Sequence, residues 1–172
     1  MEGITTTSWD LGGRSPMRPL WRHYFKGMSG IIFVTDANTD MISWTKDEMD
    51  RLLAEEDLIG LPLLLVINKM DLPNAKSPAE IIKILDLEAL MTERSPRSYK
   101  VVAMSATKDI SEMVKGLDWL KKEMNTPVAL SIAQKGNSAP SSDLNKSETN
   151  KISSPKSVSD VTQLLSAGVL NQ

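Results

Sequence analysis

The stretch Leu63-Leu64-Leu65-Val66-Ile67-Asn68-Lys69-Met70-Asp71 decides the fold class of this chain. Its first five residues are apolar, and such a run predicts a strand buried on both faces of a parallel sheet. The next four residues follow the pattern N-K-x-D and would stand at the carboxyl end of that strand. Open α/β sheets bind their ligands at that end. The sequence therefore predicts an α/β fold with a ligand site directly after this strand.

The N-K-x-D quartet indicates a site for guanine. The carboxylate of Asp71 can accept two hydrogen bonds from the N1 and N2 edge of guanine, whereas adenine would present it with a lone pair. The aliphatic stem of Lys69 can lie over the purine face while its ammonium group stays in water. We expect Asn68 to connect neighbouring loops. For the quartet alone, an ordinary strand end with two charged residues remains the alternative.

A second signal is the turn Asp10-Leu11-Gly12-Gly13, which has the pattern D-x-x-G. The β-branched stretch from Ile4 to Trp9 before it predicts a strand. In a nucleotide site, Asp10 would hold Mg²⁺, usually through water, and the backbone N–H of Gly13 would meet a terminal phosphate oxygen. A Gly-Gly turn without a ligand is the alternative for these four residues.

A third signal follows the short apolar stretch Val101 to Met104, which also predicts a strand. The loop Ser105-Ala106-Thr107 comes next, and it can offer the N–H of Ala106 to the O6 atom of guanine. Small polar residues end many strands, so this loop has little weight by itself. The series of three strands, each followed by a nucleotide-type loop, is what favours a common site.

Three helices are predicted around these strands. The first is expected between Asp40 and Asp57 from its helical apolar spacing. Ser77 and Glu80 form a capping box, with proline at the first helical position, and open a helix through Leu85. The last helix is expected to begin at Asp109. We expect one apolar stripe of this helix to face the core: Ile110, Met113, Val114, Leu117, Leu120 and Met124.

Composition is typical of an intracellular globular domain with a tail. Of the 172 residues, 41% are hydrophobic and 24% charged, the net charge is −2, and cysteine is absent. These values exclude a disulfide framework and indicate no broad surface for nucleic acid. No apolar run is long enough to span a membrane and no secretory leader is evident, so we expect a cytoplasmic protein. We predict one domain in residues 1–125 and a Ser/Asn/Lys-rich, largely disordered tail in residues 126–172.

Several segments resemble the ADP-ribosylation factor (Arf) family of small GTPases. The resemblance covers roughly Thr5 to Met124 and is most specific in R-P-L-W-R-H-Y-F, which begins at Arg18. Its other parts are Trp9 to Met17, Gly30 to Asp36, Leu52 to Leu58, Asn68 to Ala75, and Gly116 to Leu120. It implies a Ras-like fold, binding of GTP or GDP with Mg²⁺, and a role in vesicle-mediated protein transport at Golgi and other endomembrane surfaces.

The sequence also departs from the family pattern. It contains no G-x-x-x-x-G-K-[ST] phosphate loop and no first switch, so we interpret the chain as a family domain without its first strand, first helix and second strand. Because that loop provides most of the contacts to phosphate, nucleotide binding is expected to be impaired. The chain begins Met1-Glu2-Gly3, and Glu2 stands where the acyl chain of a myristoylated relative would be attached.

Arg14 occupies the position at which the family usually has the glutamine that orients the attacking water. A guanidinium group has no acceptor, so hydrolysis should be impaired. A built-in arginine finger is the less favoured alternative for this residue.

The resemblance places Trp21 and Tyr24 in the second switch, where effectors and regulators would bind. Aromatic residues beside arginine favour a protein interface, and packing within the fold is the alternative. Two functions therefore remain open. One is a small GTP-binding protein; the other is a non-catalytic module that binds the partners of full-length Arf proteins. In either case, membrane association would occur only through partners.

Overall fold

The computed structural model describes residues 7–38, 42–126 and 130. These residues fall into two units, of which the first contains residues 7–24 and the second contains residues 25–38, 42–126 and 130. Apart from Thr126 and Leu130, the tail predicted for residues 126–172 lies outside the described residues, so its disorder stays a prediction.

Residues 7–24 of the first unit consist of irregular backbone followed by short helical turns. A 3₁₀ turn at Ser15–Met17 leads into helix α1, Arg18–Trp21, and a second 3₁₀ turn follows at Arg22–Tyr24. The predicted strand from Ile4 to Trp9 is wrong for residues 7–9, which are not in a strand; residues 4–6 lie outside the described part. β-branched residues favour a strand only where a neighbouring strand packs beside them.

The second unit is built on a three-stranded parallel sheet. Its strands are β1, Ile31–Asp36, β2, Leu63–Asn68, and β3, Tyr99–Ala103, in the order β1-β2-β3. The register places Asp36 of β1 opposite Asn68 of β2. All six residues of β2 are buried, as its apolar run predicted. The α/β class with a parallel sheet is therefore confirmed.

The helices of this unit agree with the sequence pattern except at their ends. Helix α2 covers Ile42–Leu53 and is followed by a 3₁₀ turn at Glu56–Leu58. Helix α3, Pro78–Ile84, begins with the predicted capping box, in which Ser77 and Glu80 bond reciprocally. Helix α4, Leu87–Ala89, continues into a π-helical turn, Leu90–Arg94, and helix α5 covers Ser111–Met124.

Both faces of β2 are covered. On one face, Leu65 belongs to the main hydrophobic cluster together with residues of α2 and α3. On the other, α5 comes so close that a Cβ atom on Gly116 would lie 2.9 Å from Cγ2 of Val102 and 3.0 Å from Cδ1 of Leu64. The predicted stripe of α5 is wrong at Val114, which is 44% exposed. The buried residues of α5 are Met113, Gly116 and Leu120, so the helix contacts the sheet through a narrower stripe than the sequence predicted.

Arg97 closes the opposite end of the sheet from the predicted site. It precedes β3, and its guanidinium group donates to the main-chain carbonyls of Leu53 and Leu58 at 2.8 and 3.1 Å. It also bonds the hydroxyl of Ser95. Burial lowers the pKa of Arg97 to about 10, so the group remains a cation at neutral pH. The carbonyl of Leu53, the last residue of α2, is one that the helix itself leaves without a partner.

Candidate functional site

The carboxyl ends of the three strands are joined by main-chain hydrogen bonds. The N–H of Ala37 donates to the carbonyl of Asn68 at 2.8 Å, and the N–H of Met70 donates to the carbonyl of Met104 at 3.1 Å. The loops after β1, β2 and β3 therefore meet at one edge of the sheet. Buried β2 holds the middle loop in place, which gives side chains at this edge a rigid support.

Asn68 is the buried centre of this edge, with only 3% of its surface exposed. Its side-chain oxygen Oδ1 accepts a hydrogen bond of 3.0 Å from the N–H of Ala106. This bond connects the N-K-x-D loop to the S-A-T loop, in the way expected of Asn68. The same N–H was predicted to donate to O6 of guanine. For that contact, Ala106 must share its N–H between two acceptors or Asn68 must rotate.

The carboxylate of Asp71 lies beside the same S-A-T loop. The side chain of Ser105 hydrogen-bonds to it, and this contact is the largest cause of a lowered pKa for Asp71. Partial desolvation acts in the opposite direction, while Nζ of Lys108, 3.8 Å from Oδ2, lowers the pKa further. Ser105 is itself buried and lies 3.2 Å from the hydroxyl of Thr107. Asp71 is therefore ionised at neutral pH and able to accept hydrogen bonds.

Lys69 forms an ion pair with a residue of β1. Its ammonium nitrogen lies 2.6 Å from Oδ2 of Asp36, at the end of β1. Its backbone has a φ of 63°, a left-handed conformation that residues other than glycine rarely adopt. Sequence reasoning did not identify Asp36 or Lys108 as parts of the site. The available signal was position, because Asp36 is the last residue of a strand and Lys108 directly follows the S-A-T loop.

In residues 7–24, the two glycine carbonyls of the D-x-x-G turn are bonded to side chains. Nε and Nη2 of Arg18 donate to the carbonyl of Gly13 at 2.9 and 2.8 Å, and Nε1 of Trp21 donates to the carbonyl of Gly12 at 3.0 Å. Arg14 accepts a main-chain bond from Met17 at 2.8 Å. The side chains of Arg18 and Trp21, which follow the turn in sequence, therefore hold its two glycine peptide groups in place.

Asp10 is the residue expected to hold Mg²⁺, and desolvation by burial raises the pKa of its carboxyl group. Within residues 7–38, 42–126 and 130, no three His, Cys, Asp or Glu side chains are clustered as they would be in a protein-built metal site. A lone carboxylate fits a magnesium ion whose remaining ligands are waters and phosphates. The expected role of Asp10 in holding Mg²⁺ stays a prediction.

Two aromatic residues of the same segment are exposed. The rings of Trp9 and Tyr24 are 5.4 Å apart and tilted by 51°, with 48% and 37% of these residues exposed. Trp21 is partly buried by comparison. In the described part of the chain, no helix has both the length and the apolar character needed to cross a bilayer.

Comparison with known proteins agrees with this geometry. Residues 1–124 match the family model of Arf, the ADP-ribosylation factor family. Among solved structures, the chain is similar to the Arl6 BBS3 small GTPase from Trypanosoma brucei, whose structure has the nucleotide analogue GppNp bound. The two are 26% identical, the match covers 72% of this chain and 84% of that one, and the TM-score is 0.58. The fold is thus the Ras-like α/β fold of small GTPases, and the chain belongs to the ADP-ribosylation factor family.

Proposed function

We propose that this chain binds guanine nucleotide, GDP or GTP, at the carboxyl edge of β2 and β3. The observation that carries the proposal is the 3.0 Å hydrogen bond from the N–H of Ala106 to Oδ1 of Asn68, which joins the S-A-T loop to the N-K-x-D loop that contains Asp71. The carboxylate of Asp71 is the group that would select the base. It can accept the N1–H and N2–H of guanine, and a purine that lacks these donors would leave it unpaired. The remaining contacts to the base would come from Asn68, Lys69 and Ala106.

For the D-x-x-G turn, the family pattern alone supports a contact with phosphate. In this proposal, the N–H of Gly13 meets a phosphate oxygen and Asp10 holds Mg²⁺ through water. Arg14 offers no acceptor to an attacking water, so GTP hydrolysis should be slow. We also propose weak nucleotide binding by this chain, since the 172 residues contain no G-x-x-x-x-G-K-[ST] loop to surround the phosphates.

The cellular role that we propose is in vesicle-mediated transport at endomembrane surfaces. Support comes from membership of the Arf family. Effectors and regulators would bind the second switch through Trp21 and Tyr24. The exposed ring of Tyr24, in contact with Trp9, is a surface of the kind that protein interfaces use. Membrane association would then follow from those partners.

The guanine site can be tested by equilibrium titration of the full chain with fluorescent GDP and GTP. We expect saturable binding by the wild type and loss of guanine preference in Asp71→Asn, because an amide can donate to the C2 carbonyl of xanthine but accepts only one hydrogen bond from guanine. Xanthine nucleotide should therefore bind the variant better than the wild type. Asp118→Asn, a similar change at an exposed position of α5, is the matched control and should behave like the wild type.

The proposal fails if the folded wild type shows no saturable binding of GDP or GTP. It also fails if Asp71→Asn and Asp118→Asn bind every nucleotide with the same affinity. In the first case, the second candidate function, a non-catalytic module, becomes the better explanation. The exposed pair Trp9 and Tyr24 favours that candidate, and Tyr24→Ala should then abolish binding to isolated partners of full-length Arf proteins.

A further inference from the structure

We infer that Asp36 is a positioning residue of the guanine site, acting through Lys69. The inference rests on the guanine binding proposed above. Asp36 lies outside the N-K-x-D quartet, on a different strand, and the register places it directly opposite Asn68. Its role would be to hold the side chain of Lys69 in the position from which the aliphatic stem covers the purine face.

The carboxylate of Asp36 is used at both oxygens. Oδ1 accepts the N–H of Asn38 at 2.8 Å, which fixes the carboxylate plane relative to the loop after β1. Oδ2 lies 2.6 Å from Nζ of Lys69. Because one oxygen is already anchored to the main chain, the other presents a fixed acceptor to the lysine rather than a mobile one.

Both members of the pair are only about a third exposed, with 36% of the Lys69 side chain and 31% of the Asp36 side chain accessible. The backbone around them is also fixed. Ala37 donates to the carbonyl of Asn68 at 2.8 Å and accepts from the N–H of Lys76 at 2.9 Å. The loops after β1 and β2 therefore cannot separate without breaking these bonds.

The other charged residue of the quartet has a much looser partner. Nζ of Lys108 is 3.8 Å from Oδ2 of Asp71, and 67% of the Lys108 side chain is exposed. Only the lysine of this pair is exposed, since 21% of the Asp71 side chain is accessible, and at this distance Lys108 can move away and leave its place to a ligand. The ammonium group of Lys69 thus has a close partner, whereas the carboxylate of Asp71 can exchange its lysine partner for a ligand. This arrangement suits a site in which the lysine stem packs on the base and the carboxylate accepts hydrogen bonds from it.

Fixing both ends of the Lys69 side chain removes conformational freedom before the ligand arrives. The backbone end is fixed by its left-handed conformation, and the ammonium end is fixed by Asp36. A flexible lysine would have to be ordered on binding, which lowers affinity. We therefore expect Asp36→Asn to weaken guanine-nucleotide binding by about three- to tenfold through lost preorganisation. This variant keeps an oxygen for the N–H of Asn38 and replaces the oxygen that faces Lys69 with an amide NH2 group, which cannot accept a hydrogen bond.

A double-mutant cycle on the full chain tests the inference. The variants are Asp36→Asn, Lys69→Met and the double variant, each titrated with fluorescent GDP. Methionine keeps an apolar stem but has no ammonium group. If Asp36 acts through Lys69, Asp36→Asn should cause no further loss once Lys69 is methionine, and Asp36→Glu should restore part of the affinity. Glu112→Gln, which removes the carboxylate of another 2.6 Å ion pair on α5, is the matched control.

A spectroscopic measurement makes the inference testable without nucleotide. In NMR spectra of the wild type, the two Hε protons of Lys69 should have different chemical shifts because the side chain is fixed, and they should become equivalent in Asp36→Asn. Additive losses in the cycle, or Hε protons that are equivalent already in the wild type, would overturn the inference. If the wild type binds no guanine nucleotide, the proposed function fails and the inference fails with it, whereas additive losses contradict only the role of Asp36.

Discussion

The N-K-x-D edge and the D-x-x-G segment differ in what holds them in place. The first follows a strand whose six residues are all buried between helices. In the second, residues 7–13 have no regular structure, and Arg18 and Trp21 bond the glycine carbonyls from the following helical turns. The geometry of the first site is therefore tied to the hydrophobic core. That of the second depends on a few side-chain hydrogen bonds, each of small net strength.

This difference shows where a mutation should have long-range effects. A change in the core beneath β2 should alter the geometry of the N-K-x-D edge even though the changed residue does not contact that edge. A change near Gly13 should remain local.

Leu65→Ala should destabilise the chain by about 2–5 kcal/mol, because a fully buried side chain is removed and a cavity remains. Chemical denaturation followed by circular dichroism measures this loss. Leu20→Ala, at an exposed position of α1, is the matched control and should change stability by less than about 0.5 kcal/mol. Equal losses in the two variants would contradict the contrast.

Gly116→Val should destabilise the chain by about 1–3 kcal/mol, because added methyl groups overpack the contact between α5 and the sheet. Even a single Cβ atom added at this position would lie 2.9 Å from Cγ2 of Val102 and 3.0 Å from Cδ1 of Leu64. Thermal unfolding provides the measurement. Val114→Ala removes a side chain from an exposed position of the same helix and should be close to neutral. A stable Gly116→Val variant would show that α5 can move away from the sheet.

The pKa of Asp71 should rise in Ser105→Ala more than in Lys108→Ala, because the Ser105 hydrogen bond is the largest cause that lowers it. A lowered pKa in the folded state means that ionised Asp71 stabilises the fold above its unfolded pKa. This contribution is lost as pH falls through the lowered value. Carbon NMR of the carboxyl group across acidic pH measures the shift. A larger rise in Lys108→Ala would mean that the ion pair dominates.

Arg18→Ala should have the smallest effect, less than about 1 kcal/mol on global stability, because it removes hydrogen bonds from an exposed carbonyl that water can replace. Faster limited proteolysis within residues 12–14 should reveal the local change. Arg22→Ala, on the same helical segment, serves as a comparison. If Arg18→Ala destabilised the chain as much as Leu65→Ala, the D-x-x-G segment would have to be part of the cooperative core.

The sequence predicted those parts of the molecule that local patterns determine. The apolar run before Asn68 is long enough to mark a buried strand, and the capping box at Ser77 identifies a helix start by its own hydrogen bonds. The strand expected from Ile4 to Trp9 could not be judged in this way, because strand formation depends on partners elsewhere in the chain. Likewise, helical spacing places Val114 on the apolar side of α5, but it does not show which residues of that side the sheet covers.

The candidate site was predictable to the same extent. N-K-x-D and S-A-T identified residues that the structure brings together at one edge, where Asn68 bonds Ala106. The partners of the charged residues could not be identified from spacing. Asp36 is 33 residues before Lys69, and only the parallel register of β1 and β2 brings the ends of these strands side by side. Charge pairs of this kind become visible only after the fold is known.

Arg97 has a consequence for how this fold can vary. One guanidinium group binds the last residue of α2, Leu53, and also the 3₁₀ turn that contains Leu58. Surface connections usually tolerate insertions and deletions. In this connection, however, the carbonyls of Leu53 and Leu58 must both stay within hydrogen-bonding distance of one guanidinium group. Residues 53–61 are therefore expected to keep a constant length among relatives that retain the arginine, and to vary in length where it is replaced.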